Sequence, residues 1–142
     1  MYNDELYHYG VKGMKWGVRR RNKAVNKIVN KAYKKYEQYG NEANRALSKQ
    51  QKIQNKRLSE MNRLREQGKI EESNKISKMS NKEKRLHRKH INSVNTGVSL
   101  REFAYVFETT MNTKINNISK DDIKRGKDTI DALIKYNSKK ID

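Results

Sequence analysis

The side chains with the widest chemical repertoire in this 142-residue chain are few: His8, His87 and His90, and the acids Asp121, Asp122, Asp128 and Asp131. His87 and His90 stand three apart, a spacing that puts two imidazoles on one helical face. A metal there would meet the run Leu86-His87-Arg88-Lys89-His90, which is cationic and has no accompanying carboxylate pair, so the surroundings oppose cation binding. Paired carboxylates suit acid/base or metal work, but Asp121 and Asp122 follow Ser119 at the start of a helical pattern, beside Lys120, Lys124, Arg125 and Lys127. Caps and surface ion pairs account for them. No phosphate-cradling glycine loop, nucleophile elbow or zinc-binding spacing occurs. The sequence predicts a non-enzymatic protein with no catalytic residue, no metal site and no cofactor.

Two other groups carry binding chemistry instead. Residues 12 to 36 contain no acid, and Arg21, Lys23, Lys27, Lys31, Lys34 and Lys35 fall within them. On a helix the lysines gather on one side, opposite much of the surface formed by Val25, Val29, Ala32 and Tyr36. One face can pack while the other meets phosphates, positioning a polyanion without reading sequence and weakening steeply with salt. Arg85, Arg88 and Lys89 belong to a second basic region, interrupted by Glu83 and without nearby aromatics, so base stacking is not expected there. Tyr33, Tyr36 and Tyr39 lie closer to a basic stripe, but their helical spacing points to packing. The alternative for both stripes is a solvated face of a charged helix.

The second group is His8, Tyr9, Gly10, Gly13, Met14, Trp16, Gly17, Arg19 and Arg20, which includes the only tryptophan and three of the seven glycines. The glycines free the backbone for positive φ or close approach to another surface, which disfavours regular helix. Aromatic anchors interleaved with arginine suit a docking epitope. The same residues also suit an N-terminal cap on the chain's own helices, and the two readings are compatible. The run His8-Tyr9-Gly10-Val11-Lys12-Gly13-Met14-Lys15-Trp16-Gly17-Val18-Arg19-Arg20 resembles a short segment, His-x-Gly-x-x-Gly-Met-Lys-Trp-Gly-x-Arg-Arg, found near a terminus of otherwise dissimilar proteins of tailed bacteriophages of low-GC bacteria, often head or other virion-associated proteins. The resemblance covers residues 8 to 20 only. It implies a virion component, with the segment as an attachment or packaging tag, and it transfers no catalytic role.

These groups need elements to hold them. Val25, Ala32, Tyr39, Ala46 and Ile53 recur every seven residues, and Val29, Tyr36 and Ala43 fall four after the first three, a thin a/d-like seam that requires a partner helix. Its phase slips before Leu58, Met61 and Leu64. A turn is expected around Gln67-Gly68-Lys69, after which Ile70, Ile76, Met79 and Leu86 suggest an arm folding back. Ser80 to Glu83 has capping-box spacing, leaving open either a restart of helix or one continuous helix over 70–91. Asn92 to Gly97 reads as a linker of small polar residues. Ser99 to Glu102 again has capping-box spacing, with Leu100, Phe103, Ala104, Phe107 and Met111 on one face. Ile123, Ile130, Leu133 and Ile134 supply the apolar side of a last helix that opens on Asp121 and Asp122.

Composition agrees with helices. There is no proline and no cysteine, 35% of residues are charged, and mean hydropathy is −1.21. A single core along the whole length is not expected from so polar a chain. The formal net charge is +18, and it is uneven: residues 1 to 97 carry 25 Lys plus Arg against 9 acids, residues 98 to 142 carry 9 against 7. Such a surplus calls for a polyanion or an acidic surface as partner. The predicted fold class is all-α: elongated basic helices or a helical hairpin, a small C-terminal helical hairpin and a non-helical N-terminal segment. Expected boundaries are 1–20 for the docking segment, 21–91 for the basic helical region, 92–97 for the linker and 98–142 for the near-neutral hairpin. Expected partners are other virion proteins (portal, capsid or inner core) and non-specifically bound DNA, in multiple copies or a homo-oligomer. With neither a membrane span nor a secretory signal, the expected site is the virion interior, after synthesis in a bacterial cytoplasm. The alternative function is a free, sequence-independent nucleic-acid-binding protein made during infection.

Overall fold

The computed structural model describes residues 16–138, with side chains from Arg21 onward except Ile115. Within them the chain is all-α: α1 (Trp16–Glu66), α2 (Ile70–Lys75), α3 (Asn81–Lys114), a 3-10 turn (Ile115–Asn117) and α4 (Lys120–Ser138). At about 1.5 Å per residue, the 51 residues of α1 extend roughly 76 Å. α3 runs back antiparallel along it: Gly97 lies against Tyr36 and Tyr39, and His90 Nδ1 donates to the Ala43 carbonyl at 2.8 Å.

α1 ends in a Schellman motif. Gly68 takes φ +76, Lys69 N–H donates to the Leu64 carbonyl at 2.8 Å, and Gly68 N–H donates to that of Arg65 at 3.0 Å. The reversal expected at Gln67-Gly68-Lys69 is therefore where the helix stops. The question left open over 70–91 resolves as two helices. α3 starts on a reciprocal box, in which Glu83 N–H donates to Ser80 Oγ and Ser80 N–H donates to Glu83 Oε1, both at 3.2 Å. α4 repeats the device: Asp122 N–H donates to Ser119 Oγ at 3.1 Å and Ser119 N–H to Asp122 Oδ2 at 2.9 Å.

Three expectations change. Residues 92–97 are no linker but the middle of α3, with Ser93, Thr96 and Gly97 buried. Small side chains let α3 approach Tyr36 and Tyr39 closely, and Thr96 Oγ1 satisfies itself on the Asn92 carbonyl at 2.7 Å. Ser99 to Glu102 consequently cap nothing, and 98–142 is no separate unit, because its first half continues α3. Lastly, α1 begins at Trp16, so Trp16, Gly17, Arg19 and Arg20 have helical backbone. One glycine costs roughly 1 kcal/mol, while extending an existing helix through arginines adds a hydrogen bond per residue fixed.

The main core is a three-helix arrangement at one end of the hairpin. Val25, Ile28, Val29 and Ala32 of α1 meet Leu100, Ala104, Phe107 and Met111 of α3 and Ile130 of α4, with Ile118 beneath the connection. Phe103, Ile123, Leu133 and Ile134, all expected on apolar faces, pack against it. Midway the packing thins to Ala43 and Ala46. At the tip, Met61 and Leu64 are buried and Leu58 is 42% exposed, so the phase slip leaves Leu58 outside.

Two glycines in these helices should respond oppositely to alanine. A Cβ on Gly126 would stand 2.7 Å from the Phe107 ring and 3.2 Å from Ile28 Cδ1. Overpacking of about 1–3 kcal/mol outweighs the helix propensity gained, so Gly126→Ala should lower Tm. On Gly97 a Cβ meets Tyr36 and Tyr39 at 3.4–3.6 Å, ordinary contact, and Gly97→Ala should raise Tm. Calorimetry on both variants checks the pair, and a destabilised Gly97→Ala would contradict the packing described.

Candidate polyanion interface

α1 is two-faced because its apolar residues recur at helical spacing. Val25, Ile28, Val29 and Ala32 are 0–5% exposed, whereas Lys23, Lys27, Lys31 and Lys34 are exposed and Arg21 and Lys35 half-buried. Lys23, Lys27, Lys31 and Lys34 sit about half a turn from the packed seam, whereas Arg21 and Lys35, each seven residues from Ile28, fall beside the seam and do not join the exposed lysine face as the sequence predicted. Tyr33, Tyr36 and Tyr39 belong to the packed side: all three lie against the core, and the Arg101 guanidinium stands 5.5 Å from the Tyr36 ring centre. Burial, with Glu42 nearby, pushes the Tyr39 hydroxyl above its ordinary pKa and keeps it neutral.

The second predicted group, Arg85, Arg88 and Lys89, is exposed in the first turns of α3. The structure does not join it to the first. Antiparallel register places Lys89 beside Arg45 and Lys49, where these three, with Glu42, Ala46 and Leu86, line a shallow hollow. That point is roughly 25 Å along α1 from the middle of the Lys23 to Lys35 stretch. The side chains between and beyond are ones the sequence reading did not single out: Arg45, Lys49, Lys52 and Lys56, all exposed. Their steps of four, three and four match those of Lys27, Lys31 and Lys34 closely enough that extending the same spacing would have found them.

Two acids are buried in ion pairs away from the lysine face, while Glu42 lines the hollow itself. Glu83 is buried against Arg57, with Nε to Oε1 at 2.9 Å and Nη2 to Oε2 at 3.2 Å, and Arg57 also donates to the Ser77 carbonyl at 2.7 Å. Asp122 is buried at the start of α4, accepting from Lys114 Nζ and Arg125 Nη2, each at 2.9 Å. The Ser119 backbone N–H, with Lys114, holds its carboxyl far below the usual carboxylate range. Asp121, Asp128 and Asp131 are exposed. Of the histidine pair, His87 is exposed and His90 is committed to the Ala43 carbonyl. Among the described residues, no three His, Asp or Glu side chains gather as a metal site, and no helix is long and apolar enough to cross a membrane.

Of the predicted docking residues, His8, Tyr9, Gly10, Gly13 and Met14 lie outside the described residues. Trp16, Gly17, Arg19 and Arg20 have their backbone in the first turns of α1, and their side chains lie outside the described ones. Residues 1–23 match a family model described as a family of unknown function (DUF7211), a stretch that contains the glycine and tryptophan segment and ends inside α1. No curated protein and no solved structure matches the chain.

Proposed function

We propose that this chain is a non-enzymatic structural protein of a bacteriophage particle, held in several copies in the head interior, in an inner core or beside the portal. The N-terminal segment docks on another virion protein, and the basic faces of α1 and α3 lie against packaged DNA or an acidic lumen. The observation that supports this reading is the one-sidedness of α1, which buries one face in the fold and leaves the other as exposed lysine. A chain of net charge +18 repels its own copies in free solution, and a polyanion relieves that repulsion. The particle context comes from the resemblance of residues 8 to 20.

Mass spectrometry of purified particles tests it, using the chain with and without Trp16→Ala and Arg19→Ala together. The expected result is presence in wild-type particles and a several-fold loss of copies with the double substitution. Undiminished incorporation would overturn docking through this segment. The alternative of a free nucleic-acid-binding protein made during infection is favoured by the same lysine face, which needs no particle to act. A chain abundant in infected cells and missing from purified particles would select that alternative.

A further inference from the structure

The exposed cations of α1 form one line rather than two patches. Lys23, Lys27, Lys31 and Lys34 are followed by Arg45, Lys49, Lys52 and Lys56, eight exposed side chains on one uninterrupted helix. The gap from Lys34 to Arg45 is eleven residues, and eleven residues close three helical turns to within about 20°. Glu37 and Glu42, the two acids between Lys23 and Lys56, fall to either side of the line. Among the described residues none of the eight is in an ion pair, whereas Arg63, further along the same face, is paired with Glu60 and marks the end. Lys89 of α3 broadens the line where it flanks Arg45 and Lys49.

We infer that this line is a rail for the phosphate backbone of double-stranded DNA, about 50 Å long and matched to roughly fifteen base pairs. The inference rests on the polyanion reading above and adds the ligand and the extent of the site. A duplex is stiff over far more than this length, so two rods meet along the whole rail without either one bending. Single strands bind through stacking on aromatic side chains, and the tyrosines of α1 are on its packed side. Seven of the eight cations are lysine, a flexible point charge suited to neutralising phosphates, and phosphate contacts carry no sequence information, so binding should be independent of sequence.

The test uses the full chain, labelled duplexes of 8, 15 and 30 base pairs in two unrelated sequences, and a salt series. One variant carries glutamine at Arg45, Lys49, Lys52 and Lys56; a second carries it at Lys23, Lys27, Lys31 and Lys34. Glutamine keeps helix propensity at exposed sites, and circular dichroism confirms the fold. The distal variant should bind the 15-mer at least tenfold more weakly than wild type at low salt. Its log affinity against log salt should flatten by about 3 to 4, near 0.9 for each phosphate that is no longer neutralised. Lys52→Gln with Lys56→Gln carries the same test at half that change, should the fourfold variant lose helix. Both sequences should bind alike, and the 15-mer much better than the 8-mer. Wild-type affinity in the distal variant, with loss only in the proximal one, would end the rail at Lys34 and overturn the inference while leaving the polyanion reading intact. Equal binding of single strands or polyglutamate would overturn the assignment to duplex, and wild type failing to bind any of these polyanions would overturn both readings.

Discussion

Arg57→Ala should destabilise the protein by about 3–5 kcal/mol in urea unfolding, the range for removing one partner of a buried ion pair. The Glu83 side chain is 1% exposed and Arg57 13%, so truncation leaves a buried carboxylate without its ionic partner, held only by the Ser80 N–H and hydroxyl. It also removes the donor to the Ile76 and Ser77 carbonyls, which ties the segment between α2 and α3 to α1. The pH dependence identifies the cause. Arg57 hydrogen bonding, helped by the Ser80 backbone N–H and opposed by burial, holds the Glu83 carboxyl below its ordinary range. A depressed folded pKa contributes stability that is present above the unfolded value, about 4.3, and is lost as pH falls through the folded one. Asp122 has the same sign. Wild type should therefore weaken below about pH 5. Without Arg57, Glu83 loses the largest cause of its depression while the Ser80 hydrogen bonds remain, so the variant has less stability to lose on acidification. The gap between the two should narrow in acid, and adding Glu83→Gln should recover part of the loss at about pH 7. A loss under about 1 kcal/mol, or a gap constant with pH, would show the pair to be dispensable.

Leu100→Ala should cost about 2–5 kcal/mol, the range for truncating a fully buried leucine. Leu100 is 0% exposed and lies where α1 and α3 meet, three residues beyond the close approach at Gly97. Arg57 is roughly 30 Å away along the hairpin by helical rise. The two losses should add within about 0.5 kcal/mol in the double variant if the bundle and the tip are coupled only through the continuity of α1 and α3. A marked departure in urea titrations would mean that the thin middle, at Ala43 and Ala46, transmits packing changes.

Much of this architecture is legible in residue types. The seven-residue recurrence from Val25 to Ala46 is the buried seam, Gly68 is the αL stop, and the Ser80 and Ser119 boxes begin helices. Linker and close helix crossing, by contrast, draw on the same residues. Ser93, Thr96 and Gly97 look like a loop because they are small and polar, and smallness is what a close approach to Tyr36 and Tyr39 requires. The long-range partnership of Arg57 with Glu83 joins residues 26 apart, and no local pattern announces it. For the candidate interface, the lysine spacing at the start of α1 is readable, while its relation to Arg85, Arg88 and Lys89 depends on antiparallel register, which a sequence does not display.

That register also ranks the contacts by the chain entropy each must close. The tip is secured by residues 26 apart, the midpoint by Ala43 and His90, 47 apart, and the far end brings Ile28 to Gly126, 98 apart. Because the entropy of joining two chain points grows with the logarithm of their separation, the tip closes for about 1 kcal/mol less than the far end. Synthesis runs the same way: Val25 to Ala32 leave the ribosome with no partner, and the residues that cover them come last. By closure entropy and by order of synthesis alone, the hairpin is expected to zip from the turn toward its termini, with the end that the glycine and tryptophan segment precedes closing last.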